Sequence, residues 1–264
     1  MSKTPAVPVP AATILLLRGD HAPLEVFMVV RHHQIDFASG ALVFPGGKVD
    51  AQDEDPALAE LCDGAATDAA TRAIQVAAIR EAYEECGVLL ARRGAESSPI
   101  AGTELAKLED ARARLNRSET TFAAILREHR LRLACDRLVP FAHWVTPDMM
   151  PKRFDTHFFL VEAPRNQVAL HDGHESVDSV WITPNAAMDG AASRKYTVIF
   201  PTLRQVEKLR HATSPADAIE RARRSRIVTV TPWTEQRADG AYLCIPREAG
   251  YDVSEEKMPA RAPQ

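Results

Sequence analysis

The sequence predicts an α/β fold of the α+β kind, a mixed sheet held between helices. Three observations carry this. Apolar, strand-like runs recur along the chain; segments of helical period are intermixed with them; and there is no internal repeat or low-complexity segment. A length of 264 residues with 45% hydrophobic and 26% charged residues suits one large domain, or one domain with an extension, around an ample core.

Ala11 to Arg18 and Glu25 to Arg31 are apolar runs separated by His21-Ala22-Pro23, a turn, and read as a hairpin. Gly40 to Phe44 is a short strand, stopped by Pro45-Gly46-Gly47, a turn where backbone can approach a ligand closely. Asp55-Pro56 starts a short helix, with Asp as cap and Pro at the first position, and Gly64 ends it. Thr67 or Asp68 caps a longer helix running to Cys86, with Gly87 as its left-handed stop. Thr103 to His129 reads as two helices broken near Asn116-Arg117-Ser118. Strands follow at Val139 to Val145, Thr156 to Val161 and Val177 to Ile182, and Pro184 opens a helix at Asn185. Helices are expected at Pro201 to His211 and Ala216 to Arg223. A closing hairpin pairs Arg226 to Thr231 with Tyr242 to Ile245 across Asp239-Gly240.

Composition excludes several functions. A net charge of −4 offers no global attraction to nucleic acid. The longest apolar runs are too short to span a bilayer, and Met1 to Pro10 lacks the apolar core of a signal peptide and reads as a tail. The ending Arg261-Ala262-Pro263-Gln264 is not the peroxisomal Ser-Lys-Leu, so a cytoplasmic protein is expected. The four cysteines contain no Cys-x-x-Cys pair, which argues for reduced thiols and against a zinc site.

The chemistry concentrates in Arg80-Glu81-Ala82-Tyr83-Glu84-Glu85-Cys86-Gly87-Val88. On a helix, Glu81, Glu84 and Glu85 share one face and Arg80 reaches Glu84, while Val76, Ile79, Tyr83 and Cys86 fall on the other side. Three carboxylates balanced by one arginine repel unless a cation joins them. A hard divalent ion with oxygen ligands, such as Mg²⁺ meeting phosphates, is the natural guest.

These residues resemble the second half of the Nudix box, G-x5-E-x7-R-E-U-x-E-E-x-G-U, with Ala82 in the first U position. The first half is similar to Gly47 through Asp53, preceded by Phe44-Pro45-Gly46. Asp53 stands where the box has Glu, and the spacer is replaced by Glu54 to Ile79, so a long insert splits the box. That insert resembles the branch containing the mammalian peroxisomal coenzyme A diphosphatase. Further matches are Arg31, Gly40, Trp144-Val145-Thr146-Pro147, Arg153-Phe154-Asp155-Thr156, Phe158-Phe159, Glu175, Asp178 and Trp181.

The resemblance implies a Nudix-type α/β/α sandwich with a mixed sheet, a helical insert, and C-terminal helices and hairpin. One domain is expected over 11–246, with the insert at 54–79, a helical segment at 103–130, an extension at 200–246, and tails at 1–10 and 247–264. It implies a hydrolase of nucleoside diphosphates linked to another group, using Mg²⁺ or Mn²⁺. Glu81, Glu84, Glu85 and the Gly46 carbonyl would hold metal, Arg80 would orient Glu84, and Asp50 and Asp53 would help hold metal or loop. Glu175 is the candidate distant base or extra ligand, with an exposed loop carboxylate as the open alternative. Arg31, Gly47, Lys152 and Arg153 are candidates for substrate contact, since arginine forks match phosphate oxygens; for Lys152 simple surface solvation is equally open. The basic run Arg221 to Arg226 either meets an extra phosphate or solvates a helix end.

The implied substrate is coenzyme A or acyl-coenzyme A, giving 3′,5′-ADP and (acyl-)4′-phosphopantetheine. ADP-ribose, NADH or dinucleoside polyphosphates, or a non-catalytic nucleotide-sensing module, are the alternatives. The expected partner is a small nucleotide-type molecule, with a homodimer left open and neither nucleic acid nor membrane.

Overall fold

The first apolar run forms the centre of the sheet. A computed structural model describes residues 5–19, 23–31, 40–171 and 176–258. In chain order the first strands are β1 (Val9–Arg18), β2 (Glu25–Arg31), β3 (Leu42–Val43) and β4 (Gly46–Lys48). Two short 3₁₀ helices, Ala51–Glu54 and Pro56–Leu61, lead to helix α1 (Ala69–Cys86). Then come β5 (Ala91–Arg93), α2 (Gly102–Leu105), α3 (Glu109–Asn116), α4 (Phe122–Glu128) and β6 (Leu131–Leu133). Strands β7 (Val139–Val145), β8 (Phe154–Glu162) and β9 (Ser176–Ile182) precede α5 (Pro184–Ala192), α6 (Phe200–Leu209) and α7 (Pro215–Arg224). The chain closes with β10 (Thr229–Val230), β11 (Trp233–Arg237), β12 (Gly240–Cys244) and β13 (Glu255–Lys257).

Among the described residues the main sheet has eight strands, in the order β10-β7-β8-β1-β2-β3, with β4 pairing one end of β1 and β9 pairing β2. It is mixed: β1 runs parallel to β8 and antiparallel to β2 and β4. Ile14 to Leu17 are fully buried, because this central strand is covered on both faces and so needs no polar alternation. Period two divides it. Ala12, Ile14 and Leu16 join a core with α1, α3 and α4, while Leu15 and Leu17 join a second with α5, α6 and α7. β2 splits the same way, Phe27 and Val29 against Val26 and Met28. Each of these side chains larger than alanine contributes about 1.5–3 kcal/mol on burial. The expected α/β/α sandwich is what forms.

Several boundaries differ from the sequence expectation. Pro45-Gly46-Gly47 is not a free turn: Gly46–Lys48 is a strand hydrogen-bonded to β1. The segment at 103–130 holds three helices, not two, because Gly102–Leu105 forms its own turn of helix. β5 and β6, both unexpected, pair with each other. The closing hairpin is β11–β12, whereas the expected first arm supplies β10, which joins the main sheet parallel to β7. The expected tail at 247–264 is folded through residue 258. β13 pairs β12, and the buried Tyr251 hydroxyl accepts from Trp144 Nε1 at 2.9 Å and meets the Gln205 side chain.

Candidate active site

Local rules place α1. Asp68 caps it, accepting from Thr71 N at 2.8 Å, and Gly87, at φ +66°, ends it with its N–H on Tyr83 O. Val76, Ile79, Tyr83 and Cys86 fill the first core. The charged side is covered as well: Arg80 and Glu85 are 4% and 8% exposed, because β4 and the 3₁₀ turn after it lie over them.

Arg80 is the hub. Its Nε and Nη2 donate to the two oxygens of Asp53 at 2.8 and 2.9 Å, a bidentate fork. Nη2 also donates to Lys48 O at 3.0 Å, and Nη1 donates to Glu81 Oε1 at 2.9 Å and Glu84 Oε2 at 2.6 Å. These five bonds match the five N–H groups of a guanidinium. The Arg80–Glu84 contact expected from helix spacing is present. Asp53, 2% exposed, is not a metal-facing group. It backs Arg80 and, through Asp50 N at 2.8 Å, closes the capping box of its own turn.

The glycines join loop to helix. Gly46 N donates to Glu85 Oε2 at 3.0 Å. A Cβ on Gly46 would lie 2.3 Å from Ala12 O, and one on Gly47 would lie 2.4 Å from Glu81 Oε1. Only glycine lets β4 pair with β1 and touch the carboxylates at once.

Burial pushes the carboxyls of Asp53 and Glu84 up, and Arg80 pulls both back without cancelling the rise. For Arg80 burial works against the charge, but the Asp53 hydrogen bond and the charges of Glu81, Asp53 and Glu84 outweigh it and hold the guanidinium above its ordinary range. A cation beside Glu84 would offset the same burial cost.

Glu81, Glu84 and Glu85 line a cleft of about 740 Å³ with Asp50, Gln52 and residues from α3 and the turn after it. Among the described residues, the trio whose ligand atoms lie within 4.8 Å of one another is found elsewhere, at His143, Asp155 and His157. The glutamates therefore form an open acidic floor, not a closed cage. Hard carboxylate oxygens on an open floor fit Mg²⁺ or Mn²⁺, ions that keep several waters and take phosphate oxygens as further ligands.

The cleft is also lined by α3 and the turn after it, with basic residues that the sequence reading missed and the acidic Glu109. Arg112 holds Glu84 O with Nε at 3.2 Å and Nη2 at 2.9 Å, a cation on the C-terminal carbonyls of α1. Arg112, Asn116 and Arg117 all line the cleft. The only sequence signal for them was the basic character of the helical segment.

Other expected residues lie apart. Arg153 is committed to structure: Nε donates to Thr146 O at 2.9 Å, Nη1 to Ala6 O at 2.7 Å, and Nη2 pairs with Asp148 at 2.6 Å. Its guanidinium fastens the β7–β8 turn to the start of β1, which corrects its expected role in substrate contact. Lys152 is exposed on that turn and does not line the cleft. Glu175 and the side chain of Arg31 lie outside the described residues. The basic run of α7 packs on the second core, across the sheet from the cleft, with Arg221 paired to Asp217 and Arg224 to Glu220.

A continuous acidic helix whose sequence box is split by the insert before it, a glycine strand touching its carboxylates and a mixed sheet between helices are the features of a Nudix fold. The model of the NUDT19 Nudix domain matches residues 67–209, more than half of the chain, and the chain belongs to this Nudix hydrolase family. It is 24% identical over 233 residues to the acyl-coenzyme A diphosphatase NUDT19 of Xenopus laevis, covering 71% of this chain and 60% of that one. It is 26% identical over 253 residues to the human protein of the same name, covering 81% and 65%. The chain thus spans less than two thirds of the length of these relatives. A crystal structure of a Nudix hydrolase from Alicyclobacillus acidocaldarius superposes with a TM-score of 0.68 at 27% identity, over 83% of this chain and 97% of that one. No helix among the described residues is long and apolar enough to cross a membrane.

Proposed function

We propose that this protein is a metal-dependent diphosphatase that cleaves coenzyme A or acyl-coenzyme A to 3′,5′-ADP and (acyl-)4′-phosphopantetheine. The observation that carries the reading is the Arg80 hub, which presents Glu81 and Glu84 to a cleft also lined by Arg112 and Arg117. Relatives named acyl-coenzyme A diphosphatase support the substrate class.

Glu81, Glu84 and Glu85 would hold Mg²⁺ or Mn²⁺, with the Gly46 carbonyl as a further ligand. When bound, the ion neutralises diphosphate charge and acidifies an attacking water. Arg80 keeps two carboxylates turned toward the cleft. Glu85 ties the helix to β4, so Gly47 can lie against the diphosphate without a side chain between them. Arg117, which lines the cleft, would meet phosphate oxygens by exchanging them for the Glu119 carboxylate it now holds, while Arg112 stays on Glu84 O and Glu109; Arg31 and Lys152 remain the other candidates for substrate contact. Glu81 or Glu84 takes the proton from the water, with Glu175 as the alternative base. We place this activity in the cytoplasm, on a small nucleotide-type substrate.

Product analysis with Mg²⁺ and Mn²⁺ over coenzyme A, acetyl-coenzyme A, ADP-ribose and NADH tests the reading. The expected result is preferential release of 3′,5′-ADP from the first two. Preferential hydrolysis of ADP-ribose or NADH overturns the substrate assignment, and ligand-induced stabilisation with no turnover overturns the enzyme.

A further inference from the structure

Away from the box, β7, β8 and β10 bring together a group that the proposed reaction does not use. His143 and His157 are cross-strand partners on β7 and β8, and Thr229 on β10 is in register with His143. The two imidazole rings stack with centroids 4.1 Å apart and planes inclined by 22°. Asp155, two residues before His157 and therefore on the same face of the strand, hydrogen-bonds His143 Nε2 through Oδ1, and His157 Nε2 lies 3.9 Å from that same oxygen. The other ring nitrogen of His143, Nδ1, is 2.8 Å from Thr229 Oγ1. All three side chains are half-buried, open to an ion from solvent.

We propose that His143, Asp155 and His157 form a second metal site, selective for a borderline transition ion such as Zn²⁺ or Co²⁺. Two imidazoles and one carboxylate suit such ions and not Mg²⁺, which prefers oxygen alone. A tetrahedral zinc site places neighbouring ligand atoms roughly 3.3 Å apart. The three ligand atoms already lie within 4.8 Å of one another, so closure needs side-chain shifts of under an ångström or two. The ion would replace the proton shared by His143 and Asp155. The Thr229 hydroxyl takes the part of the outer partner that fixes a ligating imidazole, leaving Nε2 as the ligand. Solvent or an anion would complete the coordination.

Register also shows that this is not the second ion of the diphosphatase cluster. His157 pairs with Ala12, and Ala12 pairs with Gly47 on its other side. The group thus lies on the sheet face that carries α1, but two strand spacings, roughly 10 Å, from the glycine strand. Paired catalytic ions sit about 3.5–4 Å apart.

The test is titration of the full chain with Co²⁺, read by visible absorption and calorimetry, in a Glu81→Gln/Glu85→Gln background that removes competition from the acidic floor. One equivalent of Co²⁺ is expected to bind with the intense bands of a low-coordinate site, and excess Zn²⁺ should displace it. His157→Gln, which keeps size and polarity on the strand, is expected to abolish that equivalent. Thr229→Val, on the exposed edge, is expected to weaken it about 10- to 100-fold with the unfolding curve unchanged. No Co²⁺ uptake in the double-glutamine background, or uptake unchanged by both His157→Gln and Thr229→Val, overturns the proposal. In that event the group is a hydrogen-bonded histidine pair only.

Discussion

Replacing Asp53 by Asn tests the hub most sharply. The side chain of Asp53 is 0% exposed and that of Arg80 is 5% exposed, so solvent cannot compensate the change. Asn is isosteric, but it removes the charge and turns one acceptor into an N–H₂ that faces a guanidinium donor. Removing one partner of a buried ion pair costs about 3–5 kcal/mol. Here Arg80 keeps Glu81, Glu84 and the Lys48 carbonyl, which places the loss near the lower end, about 3 kcal/mol. At ~2–4 °C per kcal/mol for a domain of this size, the melting midpoint should fall by about 6–12 °C. Urea unfolding gives the free energy directly. kcat should fall as well, because Glu81 and Glu84 lose the group that aims them. Asp53→Glu, the residue the box usually carries, adds a methylene to a filled site and should cost about 1–3 kcal/mol. An Asp53→Asn unfolding free energy within ~0.5 kcal/mol of the parent, the range of an uncoupled surface change, refutes the hub.

Further expectations concern groups around it. Glu84 is raised above its ordinary value of 4.5, burial being the first cause. Because the folded state binds this proton more tightly than the unfolded chain, the contribution is fully present below about 4.5 and is lost as pH rises through the elevated value. In chelator, Glu84→Gln should flatten the fall in urea midpoint above pH 4.5 relative to the parent; an identical slope contradicts the assignment. Gly47→Ala drives a methyl into the Glu81 carboxylate at 2.4 Å. Since the end of that side chain can swing away, turnover should drop more than tenfold while the melting temperature moves little, and the reverse pattern excludes a contact role for the glycine. Tyr251→Phe leaves the buried Trp144 Nε1 without its acceptor and should cost about 1–3 kcal/mol in urea unfolding; a neutral result would return 247–258 to the status of a tail.

What could be read from the sequence was what is local. Helix α1 carries its own cap, its own glycine stop and a period that separates Tyr83 and Cys86 from Glu81 and Glu84. The Arg80–Glu84 pair follows from a spacing of four residues. The role of Asp53 was not legible, because it meets Arg80 at a sequence separation of 27, across the whole insert. Arg153 offered a phosphate-seeking residue type, but residue type does not say that three backbone and side-chain acceptors already surround it. The closing hairpin was shifted because β10 has only two residues and owes its existence to a parallel neighbour, β7, more than eighty residues earlier. Tyr251 is held by long-range contacts of the same kind, to Trp144 and Gln205, whereas β11, β12 and β13 pair locally. His143 and His157 escaped notice because only the register between β7 and β8 makes them neighbours, although Asp155-Thr156-His157 did show two ligand-type residues at strand period.

The most direct measurement is turnover of coenzyme A, followed by mass spectrometry of products with Mg²⁺, with chelator, and with Glu85→Gln. Appearance of 3′,5′-ADP and 4′-phosphopantetheine with Mg²⁺ alone, lost in chelator and nearly abolished by Glu85→Gln, is the predicted result. Cleavage that survives both chelator and Glu85→Gln would contradict the account.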